Sequence, residues 1–594
     1  NLEESVSLLD LVQQQDAHQL VLGAPGAGKT MLLRVYQYNL AQQRRVLVRQ
    51  RRRIPIFVPL ANYSLFLARY GADASQILDF LYSSTLAGMH HLRPFLRGLV
   101  AQGRVLLLCD GLNEVDSDYL DTVTAELARL MRADKNRVVI TCREVDYQRS
   151  AQLEQMLDDG LSEQVVIYAL EEKQKRHFVE RYIRDQEVDN QRQQHTAGQI
   201  MEVIKQTRLR YICSNSMMLS IALDLIDNVG AERTRRIDVR ARLLREFVAQ
   251  LIRREQRQPK WGKVSPTNNE VLLFLNEMAC AAWWTHQQYA IQLPVSNASH
   301  VADGVQHWLD EHPALVPFVV SGESSTIELH EPYSREKLAQ LVEFAQGTTL
   351  IDIAPNGLLS FRHELIGEYL AAEYFSTSAG RMEVAAPLRE ELLADAAYWS
   401  GPVILWVGLA DNPSELAERF VKSAASSPNY RLEALALGLL CLGVMERPVQ
   451  VGTSEQVSLP KSIEKALARV LGSPEDREKL ARIFTRCAEE DGEEAYHALF
   501  SLLLVDSIEE FLVLLNSSVV TGLLFRYLIE NADDETRDVQ VKRLMRILGH
   551  FGGAAVGRAG ELSAPAPHRS MRLRTAAINI LGNTPVSYTH LTLP

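Results

Sequence analysis

The sequence predicts a parallel α/β domain near its N-terminus followed by a long helical region. Three observations carry that expectation. From His18 to about Leu170, short apolar runs alternate with longer amphipathic stretches, the pattern of βα units that build a mainly parallel sheet. From Glu171 onward the strand signal mostly vanishes and helix-period apolar spacing replaces it. At 594 residues the chain also exceeds what one hydrophobic core holds, so about three to five domains in series are expected.

Composition narrows the class. Apolar residues are 46% and charged residues 23%, the balance of an ordinary globular protein. A net charge of −11, from 63 basic and 74 acidic residues, argues against a general nucleic-acid or membrane-surface role. Cys109, Cys142, Cys213, Cys280, Cys441 and Cys487 form no CxxC pair, and several lie in apolar runs. They read as reduced core thiols of a cytoplasmic protein. No run approaches the roughly 20 apolar residues of a membrane span. The longest, Ala434 to Met445, is flanked by Glu433 and Glu446 and reads as a buried helix.

The elements follow in order. Residues 1–17 read as the remnant of an N-terminal linker, because the chain starts on Asn1 and not Met. In the α/β domain, 18–170, the strand candidates are Leu20 to Leu22, Ile54 to Leu60, Val105 to Cys109, Val138 to Thr141 and Val165 to Leu170. Between them lie helices such as Thr122 to Arg132, with Val123, Leu127, Leu130 and Met131 on one face. A helical domain, 171–235, is expected from Glu171 to Ile183, Ala197 to Thr207 and Met217 to Ile226. Residues 236–376 begin with helices Val239 to Arg254 and Asn269 to Thr285 and become mixed from His300 to Phe361. There the turn Pro355, Asn356, Gly357 joins Thr349 to Ile353 with Leu358 to Phe361, a small hairpin of the kind that forms the wing of a winged-helix domain. It runs into a helix, His363 to Phe375.

Residues 377–585 show short helices separated by polar turns: Ser414 to Ala424, Arg431 to Val444, Ser462 to Leu471, Glu494 to Val505 and Met571 to Leu581. The last, MRLRTAAINILG, is similar to the second half of a HEAT-type repeat, so an α-helical solenoid with one continuous core is expected, with an irregular bundle as the alternative. The final stretch 586–594, VSYTHLTLP, matches one reading frame of a common sequencing-library adapter and is set aside as read-through. Both ends are therefore expected to be truncations.

The chemistry concentrates near the start. Gly23 to Thr30, GAPGAGKT, fits the P-loop pattern GxxxxGK[ST] at every fixed position. Gly23, Ala24, Pro25, Gly26, Ala27 and Gly28 form the loop, in which the glycines let successive backbone N–H groups curl around the phosphates. Lys29 reaches the β- and γ-phosphates and the Thr30 hydroxyl ligates Mg²⁺. Leu20 to Leu22 lead in as a strand, and Met31, Leu32 and Leu33 open a helix whose N-terminus faces the anion. The fold class is thus an α/β P-loop NTPase domain. A second acidic element is needed at a neighbouring strand end, and RVLLLCDGLNEV supplies it. A buried strand ends at Asp110, whose carboxylate would lie near the phosphates, and Glu114 adds a second carboxylate able to orient or deprotonate a water.

GAPGAGKT, LLLCDGLNEV and NRVVITCRE together resemble the successive signatures of NACHT domains, the signal-transduction NTPases of the STAND class that include animal innate-immune (NLR-like) receptors. RYICSNSMMLSIAL is similar to the NPxxL-type segment of the family's helical domain, and SFRHELIGEYLAAEYF to its winged-helix motif FxHxxxxEYxAA. The resemblance covers roughly Gln19 to Phe375. It implies that Gly23, Gly26, Gly28, Lys29 and Thr30 hold the phosphates, that Thr30 and Asp110 share Mg²⁺, and that Arg143 senses the γ-phosphate. His363 would reach the β-phosphate of bound ADP and clamp the domains together. Two positions depart from the family. Asn113 stands where an acidic residue is usual, which leaves Glu114 as the only candidate base in that motif. Ser216 stands where a proline usually packs near the adenine, which loosens or reshapes base binding.

The remaining clusters point elsewhere. Arg44, Arg45, Arg49, Arg51, Arg52 and Arg53 read as a solvated helix end and loop, since no aromatic residues are interleaved to stack on bases. His90 and His91 have no ligands at metal spacing. The sequence therefore predicts an ATP/ADP-dependent switch, a slow ATPase that oligomerises on activation, with an unidentified ligand on the C-terminal helices. Two alternatives stay open: an AAA+-like turnover ATPase that remodels or translocates a substrate, and a scaffold in which nucleotide is structural only.

Overall fold

A computed structural model of the chain describes residues 17–583 outside 24–25, 45–52, 72–75, 84–92, 134–135, 144–161, 168–169, 185–189, 206–208, 214, 231–233, 235–239, 262–264, 289, 295–300, 319–332, 355–356, 380–387, 411–412, 427, 446–460, 492–508, 516–517, 534–537, 552–558, 560–561 and 564–570. The helix expected over Glu494 to Val505, the histidines His90 and His91, most of the arginine cluster and the terminal segments lie outside the described residues.

The α/β domain contains β1 (His18–Gly23), α1 (Lys29–Arg44), β2 (Ile54–Pro59), α2 (Leu60–Tyr70), α3 (Ile77–Ser83), α4 (Arg93–Ala101), β3 (Val105–Asp110), α5 (Ser117–Ala133), β4 (Arg137–Cys142) and β5 (Ser162–Ile167). The five strands form one sheet in the order β2-β3-β4-β1-β5, every pair parallel. The first four coincide with the expected apolar runs to within two residues at either end, whereas β5 begins three residues before the expected Val165 to Leu170 and shares only Val165 to Ile167 with it. β3 and β4 are buried along their whole length, as central strands covered on both faces must be, which is why they read as nearly unbroken apolar runs. The two-residue alternation of a strand then sorts the side chains. Leu106 and Leu108 face α1 together with Val21, Leu33 and Tyr36. Leu107 and Cys109 face the opposite core with Val58, Tyr63, Phe80 and Leu127.

Two polar groups, buried Arg137 and half-buried Glu126, tie this domain together. The Arg137 guanidinium donates to the Ala17 carbonyl, the Tyr36 hydroxyl and the Gln19 side-chain oxygen, each at 2.9 Å. Glu126 on α5 accepts from the Tyr63 hydroxyl on α2 and, at 3.0 Å, from the Ile77 N–H that opens α3. Each satisfies donors that burial would otherwise leave unpaired.

The next elements are α6 (Glu172–Arg184), α7 (Asn190–Lys205), α8 (Ser216–Val229), α9 (Arg240–Gln256), α10 (Asn268–Trp284), β6 (Ile291–Gln292), α11 (Val301–Glu311), α12 (Arg335–Gly347), β7 (Ile351–Ile353), β8 (Leu358–Phe361) and α13 (Glu364–Ala379). Asn215 caps α8 by accepting from the Met218 N–H, and Thr267 with Glu270 forms a reciprocal capping box on α10. β7 and β8 make the expected antiparallel hairpin, with Ile351 opposite Phe361 and Ile353 opposite Leu359. Gly357 takes φ +81 in the turn, a conformation that favours glycine. β6 adds a third strand on the other edge of β8, a long-range pairing that no local pattern of two residues reveals. α13 packs on α10 and is tied to α9 by a forked Arg245–Glu373 ion pair.

The rest is helical: α14 (Ala396–Leu409), α15 (Pro413–Ser426), α16 (Arg431–Met445), α17 (Lys461–Leu471), α18 (Pro474–Asp491), α19 (Ser518–Asn531), α20 (Asp538–His550) and α21 (Met571–Asn583). α14 is apolar around nearly its whole circumference and buried at every position except Tyr398, as an enclosed helix should be. It packs against α9, α13, α16 and α18 and so joins the two helical regions. The Trp406 ring lies 5.5 Å from Phe318, 5.7 Å from Phe375 and 6.0 Å from Phe420. One continuous apolar core runs from Val179 to Ile580, apart from the two cores that flank the sheet. The run Ala434 to Met445 falls within α16, and among the described residues no helix is long and apolar enough to cross a membrane. All six cysteines are buried, and none is in a disulfide.

Candidate functional site

Parallel strands all deliver their C-terminal ends to one edge of the sheet, and the site forms there. β1 ends at Gly23, and the loop that follows reaches α1, which begins at Lys29. Gly26 and Gly28 take φ +71 and +99, the left-handed region that glycine alone adopts without strain. Among the described residues the N–H groups of Gly26, Ala27 and Gly28 have no hydrogen-bond acceptor. They are donors left open beside a helix N-terminus, the arrangement that receives an anion. Ala24 and Pro25 lie outside the described residues, Thr30 is exposed at the start of α1, and Met31 is 64% exposed on its outer face. The Lys29 ammonium donates to the Gly23 carbonyl at 2.8 Å. Burial and the nearby Arg143 bring its pKa down to about 8, against the opposing pull of Glu114, Cys142 and Asp110.

β4 lies between β1 and β3, so Arg143, which follows β4, stands between the phosphate loop after β1 and Asp110 at the end of β3. The Thr141 hydroxyl donates to Asp110 Oδ1 at 2.7 Å and accepts from the Gly111 N–H at 2.8 Å. This fixes the Asp110 carboxylate. Thr141 is a site residue the sequence reading missed. Its signal was a polar side chain inside the buried strand VVITC. Gly111 takes φ +76, and the chain turns through Leu112–Glu114 so that Glu114 folds back over it. A Cβ on Gly111 would stand 2.5 Å from the Glu114 carboxyl carbon. Burial, and then the Asp110 charge, push the Glu114 pKa up to about 7, opposed by Arg143 and Lys29. The Asn113 side-chain oxygen is buried without a hydrogen-bond partner among the described residues.

A further part of the site comes from far along the chain. Arg143 pairs with Glu364, the first residue of α13, with side chains 9% and 12% exposed. His363 stands one residue earlier, just outside the helix that was expected to include it. Burial, Lys29 and Arg143 hold its pKa down to about 4. Its Nδ1 accepts from the Leu365 N–H at 3.2 Å, which puts the ring proton on Nε2 and leaves that nitrogen a donor. Glu364 also escaped the sequence reading, although an acidic residue in a first helical turn beside a cationic strand end is the expected electrostatic complement. A third approach is made by the start of α8, where the Ser216 hydroxyl lies 3.3 Å from the Gly26 carbonyl.

The structure therefore brings Gly23, Gly26, Gly28, Lys29, Asp110, Glu114, Arg143 and His363 to one edge of the sheet. Open backbone donors and two cations suit a polyphosphate. The Thr30 hydroxyl and the Asp110 carboxylate suit the sparse protein share of a Mg²⁺ shell, which takes its other oxygens from phosphate and water. Among the described residues no group of three His, Cys, Asp or Glu side chains could hold a metal by itself.

The fold and this edge define a P-loop NTPase domain. The NACHT domain family model matches residues 18–186, so the α/β sheet and the first helix after it are a NACHT domain. No curated protein matches the chain. Among solved structures it is similar to the ORC1 protein of Aeropyrum pernix in complex with DNA, at 13% identity and a TM-score of 0.27, covering 61% of this chain and 88% of that one. It is also similar to the ORC2 protein of the same organism, at 12% identity and 0.27, covering 62% and 91%. A third is Cdc6p from Pyrobaculum aerophilum, at 13% and 0.23, covering 63% and 97%.

Proposed function

We propose that this chain is an ATP/ADP-dependent signal-transduction switch, held closed by contacts between its NACHT domain and α13. The observation that carries the reading is the Arg143–Glu364 pair. A residue positioned to sense the γ-phosphate is engaged by a carboxylate from a separate region of the chain. That carboxylate and a phosphate oxygen compete for one guanidinium, so the closed and open forms differ in nucleotide affinity, which is what a ligand needs to shift an equilibrium.

In this reading 18–170 is the nucleotide domain, 171–235 a helical domain, 236–376 a winged-helix region and 377–585 a HEAT-like sensor. The β7–β8 hairpin followed by α13 supports the winged-helix assignment. The successive packing of α15 on α16, α16 on α18 and α20 on α21 supports the repeat assignment. Gly23 to Thr30 hold the phosphates, Thr30 and Asp110 hold Mg²⁺, and neutral His363 donates from Nε2 toward the β-phosphate. Glu114 is the base for slow hydrolysis, while the Asn113 amide orients water but accepts no proton. A ligand on the C-terminal helices favours exchange to ATP, opening and self-association.

The test is titration calorimetry with ATP and ADP on the parent protein and on Lys29→Ala, together with the nucleotide content of the purified protein. Retained ADP, slow turnover and loss of binding in Lys29→Ala are expected. Equal binding by Lys29→Ala refutes the site, and rapid sustained turnover with no retained ADP favours an AAA+-like motor.

A further inference from the structure

We propose that Ser216 is a positioning residue for the phosphate loop, holding the Gly26 carbonyl so that the Ala27 N–H of the same peptide faces the bound anion. The inference rests on the nucleotide reading above. Its geometry involves one hydrogen bond and two close approaches between the start of α8, with its cap Asn215, and the loop. The Ser216 hydroxyl donates to the Gly26 carbonyl at 3.3 Å. The same hydroxyl lies 3.2 Å from where a Cβ on Gly28 would stand, and the Asn215 amide lies 3.2 Å from where one on Gly26 would stand. A side chain at either loop position would press on the start of α8 and would also sit at a positive φ, +71 at Gly26 and +99 at Gly28.

A peptide group is planar and trans, so its C=O and N–H point in opposite directions. Holding the Gly26 carbonyl toward α8 turns the Ala27 N–H away from α8, and that N–H has no acceptor among the described residues. The glycine on one side of this peptide makes the unit free to rotate, so an external restraint has something to fix. Asn215 keeps the restraint in place. Its side chain accepts from the Met218 N–H at 2.8 Å, which anchors the first turn of α8 and with it Ser216. The hydroxyl thus acts on the phosphate end of the ligand through the loop, a different role from packing against the base.

The experiment measures Ser216→Ala, Ser216→Thr and Ser216→Pro by calorimetry against ATP, ADP and inorganic tripolyphosphate, each with Mg²⁺. Proline at the first position of a helix is well tolerated, so Ser216→Pro removes the hydroxyl while keeping α8. The expected result is an equal loss of affinity for all three ligands, about three- to tenfold, in the alanine and proline variants. Threonine restores it. Loss for ATP and ADP with tripolyphosphate unchanged overturns the proposal in favour of a contact with the base. Unchanged affinity in every variant overturns it while leaving the nucleotide reading intact, and a parent protein that binds none of the three ligands removes both.

Discussion

Glu364→Gln removes the charge that faces Arg143 and keeps the shape of the side chain. The pair is largely enclosed, at 9% and 12% side-chain exposure, and deleting one partner of a buried pair costs about 3–5 kcal/mol. Two features reduce that figure here. Arg143 keeps Glu114 as an electrostatic neighbour, and glutamine can still accept one hydrogen bond, so about 1–3 kcal/mol is expected. Each 1.4 kcal/mol is about tenfold, which moves the closed-to-open ratio by roughly five- to 150-fold. The readouts are the release rate of prebound ADP and the mass distribution by light scattering at fixed protein concentration. Both should shift toward release and assembly. Glu373→Gln is the control, since it removes the same charge from the same helix at the Arg245 pair, remote from the loop. Unchanged ADP release in Glu364→Gln, or an equal effect from Glu373→Gln, refutes the clamp.

Three further outcomes follow from the same site. His363 has a folded pKa of about 4 against 6.5 unfolded, so between those values the unfolded chain binds a proton that the folded one does not. Stability should fall by up to about 3 kcal/mol as pH drops from 6.5 to 4, and His363→Gln should flatten that slope in urea melts; an unaltered slope contradicts it. Glu114 is raised to about 7, so if its ionised form is the base, hydrolysis should rise with pH through 7, and Glu114→Gln should abolish turnover while retaining binding. Gly111→Ala places a side chain at φ +76 and 2.5 Å from the Glu114 carboxyl carbon. It should cost about 1–2 kcal/mol in chemical denaturation and shift the hydrolysis profile to lower pH as Glu114 is pushed into water; an unmoved profile argues against Glu114 as the titrating group.

Much of the α/β domain was legible because its signals are local. Buried parallel strands must be apolar along their length, so β3 and β4 stand out in any reading of LLLCD and VVITC. The P-loop is contiguous, and its function resides in its own backbone. Short helices such as α15, α16 and α21 showed through their apolar spacing. β6 did not, because two residues carry no period and its partner β8 lies far along the chain. Thr141 and Glu364 escaped for a related reason. Each is an ordinary residue whose role comes from what it faces, Asp110 in one case and Arg143 in the other. Ser216 stood out only as a departure from a family pattern, and its contact with Gly26 depends on how α8 is set against the loop.

The sequence by itself determined that a P-loop follows β1, that an acidic strand end and an arginine strand end accompany it, and that helices follow. Those are properties of short segments, set by hydrophobic periodicity and by the few residue types that can wrap a phosphate. Tertiary structure alone decided that β4 separates β1 from β3, that α13 returns to meet Arg143, and that the Lys29, Glu114 and His363 pKa values move toward about 8, 7 and 4. Burial and charge act through space over a few ångströms, and the chain order does not show it, least of all for His363, whose charged neighbours Lys29 and Arg143 lie hundreds of residues earlier.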